Sequence, residues 1–330
     1  MSHIIPRLEI PKTIVVTGGH GFIGSHFIEK CLAADHKIIN IDKLTYAANI
    51  GFDVAFPKDK YRHIECDIAR LTSLPACDII VNFAAESHVD NSIEANDVFL
   101  TSNIAGPHRI LELIKNTSIN NQLHGWEYKM PLFVQISTDE VFGDILEGGF
   151  KENDVHTPSN PYSATKSAAE QLVVSWGRTY KIPYIITRTT NNFGPRQHPE
   201  KLIPSVITKL LTGTPVIVHG DGSYVRNWIH VEDNIDAVYM LINGANANQS
   251  YHIAAPEEFS VRQIVEMFCK EFDVNYDDVV DSSSDRSGGD LRYALNTEKV
   301  EKYGWKVRHS LMESFPQLRE HYREKLDGSN

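Results

Sequence analysis

The first short apolar run of the chain leads into Thr17-Gly18-Gly19-His20-Gly21-Phe22-Ile23-Gly24-Ser25, whose glycines at 18, 21 and 24 are spaced G-x-x-G-x-x-G. Glycine permits a tight turn and lets backbone N–H groups approach a pyrophosphate at the N-terminus of a helix. The run before it, Thr13 to Thr17, is β-rich, and a helical pattern begins at about residue 22. The stretch therefore predicts a strand, a phosphate-binding turn and a helix.

A second apolar run ends in Asp42, which follows Gly24 by 18 residues. An acidic side chain at this distance accepts hydrogen bonds from a ribose diol and repels a 2′-phosphate. The combination favours NAD over NADP as the cofactor. A packing turn with a surface aspartate is the alternative, and it explains each part but not their order along the chain.

Short runs rich in Ile and Val alternate with longer helical patterns in the N-terminal half. Runs of this length that are apolar on both faces predict buried strands, and they are Thr13 to Thr17, Lys37 to Ile41, Tyr61 to Cys66, Asp78 to Phe83, Leu132 to Ser137 and Tyr184 to Thr187. Helical patterns lie between them at about 22–34, 95–116 and 161–180. The alternation predicts an α/β fold with a Rossmann-type, doubly wound parallel sheet covered by helices on both faces.

The pattern changes after about residue 190. Helical stretches near 202–212, 231–243, 260–272 and 311–326 are separated by loops rich in Gly, Pro, Asp and Ser. We therefore predict an NAD-binding Rossmann domain over 1–190 and a smaller mixed α/β lobe over 191–330. Some strands and helices are expected to cross between the two.

Composition and charge exclude several classes of protein. The net charge of −11 argues against non-specific binding to nucleic acid or to an anionic membrane. The four cysteines have no C-x-x-C spacing, which opposes a disulfide framework or a zinc site. The start of the chain has no basic-then-apolar signal pattern, and no apolar run reaches 18 residues. We expect a cytoplasmic protein without a metal, a nucleic-acid partner or a membrane anchor.

Tyr162 and Lys166 lie four residues apart on the predicted helix 161–180 and therefore on one face of it. A phenol with a pKa of ~10 is a poor base at neutral pH. A nearby ammonium and a cationic nicotinamide favour the phenolate and lower its pKa. After the fifth predicted strand the pair indicates a redox step, with an ordinary amphipathic helix as the alternative.

Two carboxylates follow a hydroxyl at the end of that strand, in Ser137-Thr138-Asp139-Glu140-Val141-Phe142-Gly143. The Thr138 hydroxyl could hold the reacting oxygen of a sugar beside Tyr162. Asp139 and Glu140 add an acid and a base, although carboxylates in loops are more often caps or solvated groups. With the Tyr/Lys pair they predict an enzyme that oxidises a sugar, removes water from it and reduces it again.

Two further segments end predicted strands. Asp67-Ile68 follows the third strand and Ala84-Ala85 ends the fourth. Ligands bind at the carboxyl ends of strands in such sheets, so both segments are candidates for the cofactor site. Asp67 could equally cap a helix.

Together these residues resemble the extended short-chain dehydrogenase/reductases, and most closely the dTDP-glucose 4,6-dehydratase family. The resemblance covers nearly the whole chain. Besides the motifs above, it rests on Asp42 to Ala47, Ala84 to Asp90, Asn160 to Lys166, Asn191 to Pro195, Pro199 to Pro204, Arg226 to Trp228, Val231 to Asp233 and Asp290 to Tyr293. The triplet Thr138-Asp139-Glu140 is the most specific element, because related epimerases and decarboxylases share the Tyr-x-x-x-Lys pair but lack the two acids.

The resemblance implies a redox-neutral lyase reaction with NAD. Tyr162 would take the proton of the sugar 4-hydroxyl while hydride leaves C4, and Glu140 would then remove the C5 proton. Asp139 would protonate the departing 6-hydroxyl before hydride returns to C6. The product would be a nucleotide-linked 4-keto-6-deoxy sugar, as used in deoxysugar pathways such as that to rhamnose. A homodimer through helices 95–116 and 161–180 is also implied.

The resemblance assigns further residues to binding roles. Those expected at the NAD site, with the three glycines, Tyr162 and Lys166, are Phe22, Ile23, Asp42, Lys43, Thr45, Asp67, Ile68, Ala84, Ala85, Ser102 and Asn192. Those expected to face the nucleotide-sugar are Ser87, Thr138, Asn191, Lys201, Leu202, Arg226, His252, Arg292 and Tyr293. The cations Lys201, Arg226 and Arg292 suit a diphosphate.

Some residues depart from the family pattern. His252 stands where Asn is usual, 285–290 has Ser and Gly where Pro and His are favoured, and Ser102 replaces a usual Thr. The segment Ala69 to Asp78 is short, so one peripheral helix is expected to be lost. UDP-glucose therefore stays open beside dTDP-glucose as the substrate. The acid pair opposes a nucleotide-sugar 4-epimerase, and the complete catalytic set opposes a non-catalytic NAD-binding regulator.

Overall fold

The computed structural model describes residues 10–94, 96–283 and 290–328. Most of the segment 285–290, which departs from the family pattern, lies outside the described residues. The strands are, in chain order, β1 (Thr13–Thr17), β2 (Lys37–Asp42), β3 (Tyr61–Glu65), β4 (Ile79–Asn82), β5 (Leu132–Thr138), β6 (Tyr184–Thr189), β7 (Asn191–Phe193), β8 (Val216–His219), β9 (Val225–His230), β10 (Gln249–Ile253), β11 (Glu258–Ser260) and β12 (Val280–Ser283).

The α-helices differ in length from 4 to 20 residues. They are, in chain order, α1 (Phe22–Ala33), α2 (Val89–Glu94), α3 (Asp97–Leu100), α4 (Gly106–Leu123), α5 (Pro161–Tyr180), α6 (Leu202–Thr212), α7 (Val231–Gly244), α8 (Val261–Glu271), α9 (Tyr276–Val279), α10 (Glu298–Glu301) and α11 (Leu311–Asp327).

Seven strands form one sheet in the order β10-β6-β5-β4-β1-β2-β3. Every neighbouring pair is parallel. The strand order reverses between β1 and β4, which is the switch point where such sheets bind ligands. The predicted doubly wound parallel sheet is confirmed, and each of the six predicted strands lies within a few residues of its expected bounds.

Helices cover both faces of this sheet. On one face, α1 and α7 pack through side chains such as Phe27 and Val238, and on the other α4 and α5 pack through Ile110 and Val173. All four of these side chains are fully buried. Because helices cover both faces of the sheet, the sequences of most of its strands are continuous apolar runs and do not alternate between apolar and polar residues.

The helix predicted over 95–116 differs from the observed structure. The chain forms α3, a π-helical turn over Thr101–Ala105, and then α4, which begins at Gly106-Pro107. Proline has no N–H to donate and its ring crowds the preceding turn, so a regular α-helix does not continue through it. Between β3 and β4 the structure has only a 3₁₀ turn, Ile68–Arg70, which agrees with the expected loss of a peripheral helix.

The second half of the chain builds a smaller lobe and also returns to the first. A three-stranded sheet, β11-β9-β7, and a two-stranded pair, β12-β8, pack with α6, α8 and α11 around a separate apolar core. Strand β10 joins the edge of the large sheet beside β6, and α7 lies on α1. Within the described ranges, no helix combines the length and the apolar character needed to span a bilayer.

Candidate active site

A cleft opens at the carboxyl ends of β1, β2, β4 and β5, and the smaller lobe closes its other side. Side chains from both halves of the chain line it. The predicted site residues that it brings together are Gly18, Gly21, Phe22, Ile23, Gly24, Asp42, Lys43, Thr45, Asp67, Ile68, Ala84, Ala85, Ser87, Ser102, Thr138, Asp139, Glu140, Tyr162, Lys166, Asn191, Asn192, Lys201 and Leu202.

The glycine-rich turn packs closely against the residues that follow β4 and against itself. Gly18 has φ +70°, and a Cβ there would lie 2.6 Å from the backbone of Ala84. A Cβ on Gly24 would lie 2.4 Å from the carbonyl oxygen of Gly18. Gly21 caps α1 with extended backbone and without a side-chain hydrogen bond. The turn thus leaves the start of α1 uncovered, which fits a pyrophosphate at that helix terminus.

Asp42 lies at the end of β2, beside this turn. Its Oδ2 accepts a hydrogen bond from the His20 N–H at 2.9 Å, and its Oδ1 accepts one from the Leu44 N–H at 2.8 Å. Each carboxylate oxygen keeps a second lone pair, so the held carboxylate can still accept from a ribose diol. Lys43 Nζ donates to Ser102 Oγ at 3.0 Å. The donor and acceptor set fits NAD.

Tyr162 and Lys166 are buried and line the cleft. Lys166 Nζ donates to the Ile136 carbonyl at 2.7 Å, and burial lowers the pKa of Lys166 to about 8. Burial raises the pKa of Tyr162, with the charges of Glu140 and Asp139 acting in the same direction and a hydrogen bond with Thr138 opposing them. The sequence predicted a lowered phenol pKa. In the protein without its cofactor the pKa is raised instead, because desolvation disfavours the phenolate. The cationic nicotinamide, which the prediction also included, would come with the bound cofactor.

Thr138 and the acid pair form a compact unit. Thr138 caps the 3₁₀ turn Asp139–Phe142, its Oγ1 accepting from the Glu140 N–H at 3.3 Å and donating to Asp139 Oδ1 at 3.1 Å. Asp139 is 2% exposed, and burial followed by the charge of Glu140 raises its pKa to about 7. Its Oδ2 is buried without a partner among the described residues. Two adjacent carboxyls in different environments can serve as acid and base.

Four predicted substrate residues lie outside the lining of the cleft. Arg226 is nevertheless near, because its charge acts on Asp139 and its guanidinium carbon lies 4.3 Å from the Tyr293 ring centroid. Tyr293 donates to Asp290 Oδ2 at 2.6 Å. These two side chains border the acid pair on the side of the smaller lobe.

The placement of Arg292 and His252 disagrees with the prediction that they face the nucleotide-sugar. Arg292 pairs with both carboxylate oxygens of Glu258, at 2.7 and 2.8 Å, and also donates to the Ile145 carbonyl. His252 is fully buried, with Nδ1 on the Phe150 carbonyl and Nε2 on Arg188. The polar atoms of both side chains instead bond to protein groups that are distant in sequence.

Sequence reasoning missed several residues that line the cleft from the smaller lobe, among them Gln197, Glu200 and Trp228. Trp228 belongs to the motif Arg226-Asn227-Trp228, so its motif could have identified it. Gln197 follows the motif that ends at Pro195 but carries no pattern of its own. Only the return of this loop to the sheet places it at the cleft.

Histidines and carboxylates approach one another at two other places in the described ranges, within 4.8 Å for His20, Asp53 and His63 and for His230, Glu232 and His309. His20 Nδ1 accepts from the Asn40 amide at 2.9 Å, and His230 Nδ1 accepts from the Glu232 N–H at 3.2 Å. In each neutral ring the proton is then on Nε2. A metal-bound histidine instead donates from its second nitrogen, so neither arrangement is that of a metal site.

The geometry can be compared with known proteins. A family model described as GDP-mannose 4,6 dehydratase matches residues 15–317. The low-salt glycan biosynthesis protein Agl12 of Haloferax volcanii is 39% identical over 317 residues, covering 94% of this chain and 98% of that protein. The trifunctional UDP-glucose 4,6-dehydratase/UDP-4-keto-6-deoxy-D-glucose 3,5-epimerase/UDP-4-keto-L-rhamnose-reductase RHM3 of Arabidopsis thaliana is 35% identical, covering 95% of this chain and 48% of that protein.

A solved structure of a nucleotide-sugar dehydratase is also similar to this chain. The dTDP-glucose 4,6-dehydratase DesIV from Streptomyces venezuelae, solved with NAD and TYD bound, superposes with a TM-score of 0.87 at 34% identity, covering 94% of this chain and 97% of that one. It follows that the chain belongs to the GDP-mannose 4,6 dehydratase family and is an NAD-dependent hydro-lyase of the nucleotide-sugar 4,6-dehydratase type, as the resemblance of its motifs implied.

Proposed function

We propose that the protein converts dTDP-glucose to dTDP-4-keto-6-deoxy-glucose. The observation that carries the proposal is the pair Asp139 and Glu140, held in unequal environments beside Tyr162 in the cleft that fits NAD. In this proposal residues 1–190 supply most of the cofactor site, and residues 191–330 supply most of the contacts to the nucleotide-sugar.

Tyr162 and Thr138 act at the sugar 4-hydroxyl. Bound NAD supplies the hydride acceptor at C4 and later the hydride donor at C6. Thr138 orients the hydroxyl, and Tyr162 takes its proton as the 4-ketone forms. Lys166, whose burial favours the neutral amine, lies one helical turn from Tyr162 and is held on the Ile136 carbonyl. Its ammonium form stabilises the phenolate.

Asp139 and Glu140 carry out the elimination. The 4-ketone acidifies the C5 hydrogen, which Glu140 removes as the base. Asp139, with its pKa raised to about 7 by burial, holds a proton to give to the departing 6-hydroxyl. Water leaves, and Glu140 returns its proton to C5 after hydride has reached C6. The proton that Tyr162 took from the 4-hydroxyl balances the one that Asp139 gave to the water, and exchange with solvent restores both groups. Atoms and electrons balance without an external oxidant.

UDP-glucose is the second candidate substrate. A relative named for UDP-glucose and a solved structure named for dTDP-glucose are equally similar to this chain, at 35% and 34% identity. Identity at this level does not separate the two nucleotides. The acid pair opposes a 4-epimerase, whose reaction needs no elimination.

The test is to incubate the protein with dTDP-glucose and with UDP-glucose and to identify the 4-keto-6-deoxy product. We expect product from dTDP-glucose. Glu140→Gln should lower turnover by about 10²- to 10⁴-fold while reduced cofactor accumulates on the enzyme. Glu147→Gln, an exposed control, should be unaffected.

Other outcomes would redirect the proposal. Preference for UDP-glucose would favour the second candidate. A product that keeps its 6-hydroxyl would contradict dehydration and support an epimerase. Full turnover by Glu140→Gln would remove that residue from the role of base.

We further propose a homodimer in the cytoplasm, serving a pathway to a deoxysugar such as rhamnose. The four cysteines are unpaired, which fits a reducing compartment.

Apolar side chains are exposed on the helices expected to meet the partner, including Val98, Leu100 and Ile119. Light scattering of the purified protein should give twice the chain mass, and Leu100→Glu should halve it. A monomeric native protein would contradict the dimer.

A further inference from the structure

A buried ion pair lies behind the catalytic residues and takes no part in the chemistry described above. Arg188 on β6 is 4% exposed, and Glu170 on α5 is 1% exposed. Arg188 Nε lies 3.1 Å from both Glu170 carboxylate oxygens, and Arg188 Nη2 lies 2.7 Å from Oε2. We call Arg188, Glu170, His156, His252 and Phe142 the buried arginine cluster.

Every N–H of the Arg188 guanidinium has an acceptor. Beyond Glu170, Nη1 donates to the Glu152 carbonyl at 2.9 Å and to His252 Nε2 at 3.2 Å. Nη2 also donates to His156 Nε2 at 3.2 Å. A guanidinium has five donors in a planar fork, which lysine cannot reproduce. The orientation of this plane is therefore completely determined by its partners.

The two histidines are acceptors toward Arg188 and donors elsewhere. His252 Nδ1 donates to the Phe150 carbonyl at 3.1 Å, and His156 Nδ1 donates to Ser167 Oγ at 2.8 Å. Burial, reinforced by the charge of Arg188, lowers the pKa of His252 to about 3. Burial also lowers the pKa of His156. Both rings are neutral near pH 7, so each can present a lone pair to the guanidinium.

Phe142 connects the cluster to the acid pair. Its ring centroid lies 4.8 Å from the Arg188 guanidinium carbon, and the rings of His156 and His252 meet it edge-on at 5.1 and 5.4 Å. Phe142 is fully buried and ends the 3₁₀ turn that starts at Asp139. The Phe142 ring therefore contacts Arg188, His156 and His252, and Phe142 is the last residue of the short turn that contains both acids.

The cluster also contacts the segments that carry the redox pair. Glu170 lies one helical turn beyond Lys166 on α5, and Ser167, the partner of His156, is the residue after Lys166. Arg188 pairs in register with Ser137, which precedes Thr138 on β5. One guanidinium therefore links the helix of Tyr162, the strand of Thr138 and the turn of Asp139 and Glu140.

A contribution to the free energy of unfolding does not by itself explain the buried ion pair of Arg188 and Glu170. Replacing a buried ion pair by apolar residues of similar volume is often neutral or stabilising, because desolvation offsets the attraction of the charges. What a fully bonded pair does supply is a single geometry. Resting on the proposed function, we propose that the buried arginine cluster is a positioning device that holds Asp139 and Glu140 through Phe142 for the elimination step.

The test compares Phe142→Leu with Phe133→Leu. Phe133 is equally buried, but it lies at the start of β5 and packs in the core with residues of α4 and α5. Both changes remove a phenyl ring from the interior. Single-turnover experiments on the holoenzyme follow cofactor reduction and product formation separately, and thermal unfolding reports the stability of each variant.

For Phe142→Leu we expect product formation to slow by about 10²-fold, the loss that a displacement of about 1 Å can cause. Cofactor reduction should remain within a few-fold of the native rate, so reduced cofactor accumulates as in Glu140→Gln. The KM for the nucleotide-sugar should be unchanged. Phe133→Leu should lose similar stability without this accumulation.

Two results would overturn the proposal. If Phe142→Leu slows both steps equally, or behaves like Phe133→Leu, the ring is merely part of the core. If the native protein itself forms no 4-keto-6-deoxy product from either nucleotide-sugar, the proposed function fails and the positioning role fails with it. The native control in the same experiment distinguishes the two failures.

Discussion

At the scale of single residues, the protonation of the side chains in the cleft depends on how deeply each is buried as well as on its residue type. Asp139 and Glu140 are neighbours with similar intrinsic acidity, yet Asp139 is fully buried and Glu140 is only partly so. Burial keeps the first carboxyl protonated to a higher pH than an exposed aspartic acid, which supports its proposed role as the acid. Tyr162 and Lys166 are shifted for the same reason, since desolvation disfavours their charged forms.

The raised pKa of Asp139 has a consequence for stability. Its folded pKa of about 7 lies above the reference value of 3.8, so the folded protein binds this proton more tightly than the unfolded chain. The stabilisation is complete below pH ~4 and is lost as the pH rises through ~7. Above that, the buried carboxylate lowers the free energy of unfolding by up to roughly 4 kcal/mol.

Asp139→Asn should therefore stabilise the protein at about pH 8 by roughly 1 to 4 kcal/mol, and much less at about pH 5. Denaturant unfolding at both pH values measures the change. Asp278→Asn, an exposed control, should show no such pH dependence. Equal stabilisation at the two pH values would mean that Asp139 is not buried as a carboxylate.

At the scale of elements, the start of α5 determines where Tyr162 lies. Asn160 Oδ1 accepts from the Ser163 N–H at 3.0 Å, Ser163 Oγ accepts from the Asn160 N–H at 3.2 Å, and Pro161 occupies the first turn. A reciprocal cap and a proline at N1 define a helix start to the residue. The π-helical turn Thr101–Ala105 has a comparable effect, because it brings Ser102 to Lys43 at the cleft.

Asn160→Ala should lower the free energy of unfolding by about 1 kcal/mol through loss of the cap. It should also slow cofactor reduction, since the helix start that carries Tyr162 is no longer held. Ser260→Ala removes the equivalent capping box of α8, away from the cleft, and is the matched control. A stability loss in Asn160→Ala with a native rate of cofactor reduction would separate the cap from the position of Tyr162.

At the scale of the whole molecule, the cleft exists because the two halves of the chain fold together. Lys201 Nζ donates to the Ser87 carbonyl at 2.9 Å, and Tyr46 donates to Glu200 at 3.3 Å, so one loop of the smaller lobe bonds to two loops of the large sheet beside the cleft. Strand β10 and helix α7 strengthen this connection. Cofactor binding should consequently stabilise the molecule as a unit.

We expect NAD at 100 times its Kd to raise the free energy of unfolding by about 2.7 kcal/mol. Gly24→Ala should abolish this gain, because its Cβ would lie 2.4 Å from the Gly18 carbonyl and force the turn apart. Thermal unfolding with and without NAD measures the effect. Gly125→Ala, at a positive φ with open space around it, should lose some stability but keep the NAD shift. An undiminished shift in Gly24→Ala would contradict the role of the turn.

The sequence by itself determined the local features. The glycine turn, the apolar strands and the Tyr162/Lys166 face all depend on residues within a few positions of one another, so spacing and residue type suffice to predict them. The doubly wound parallel sheet could also be predicted, because parallel strands joined by helices admit few topologies.

Only the tertiary structure decided which side chains reach the cleft and which charges stay buried. His252 bonds to Arg188, 64 residues away, and Arg292 bonds to Gly148, 144 residues away, so neither faces the cleft as the motifs implied. The raised pKa values of Tyr162 and Asp139 have the same origin. Desolvation and long-range hydrogen bonds depend on the whole packed chain, and no local pattern encodes them.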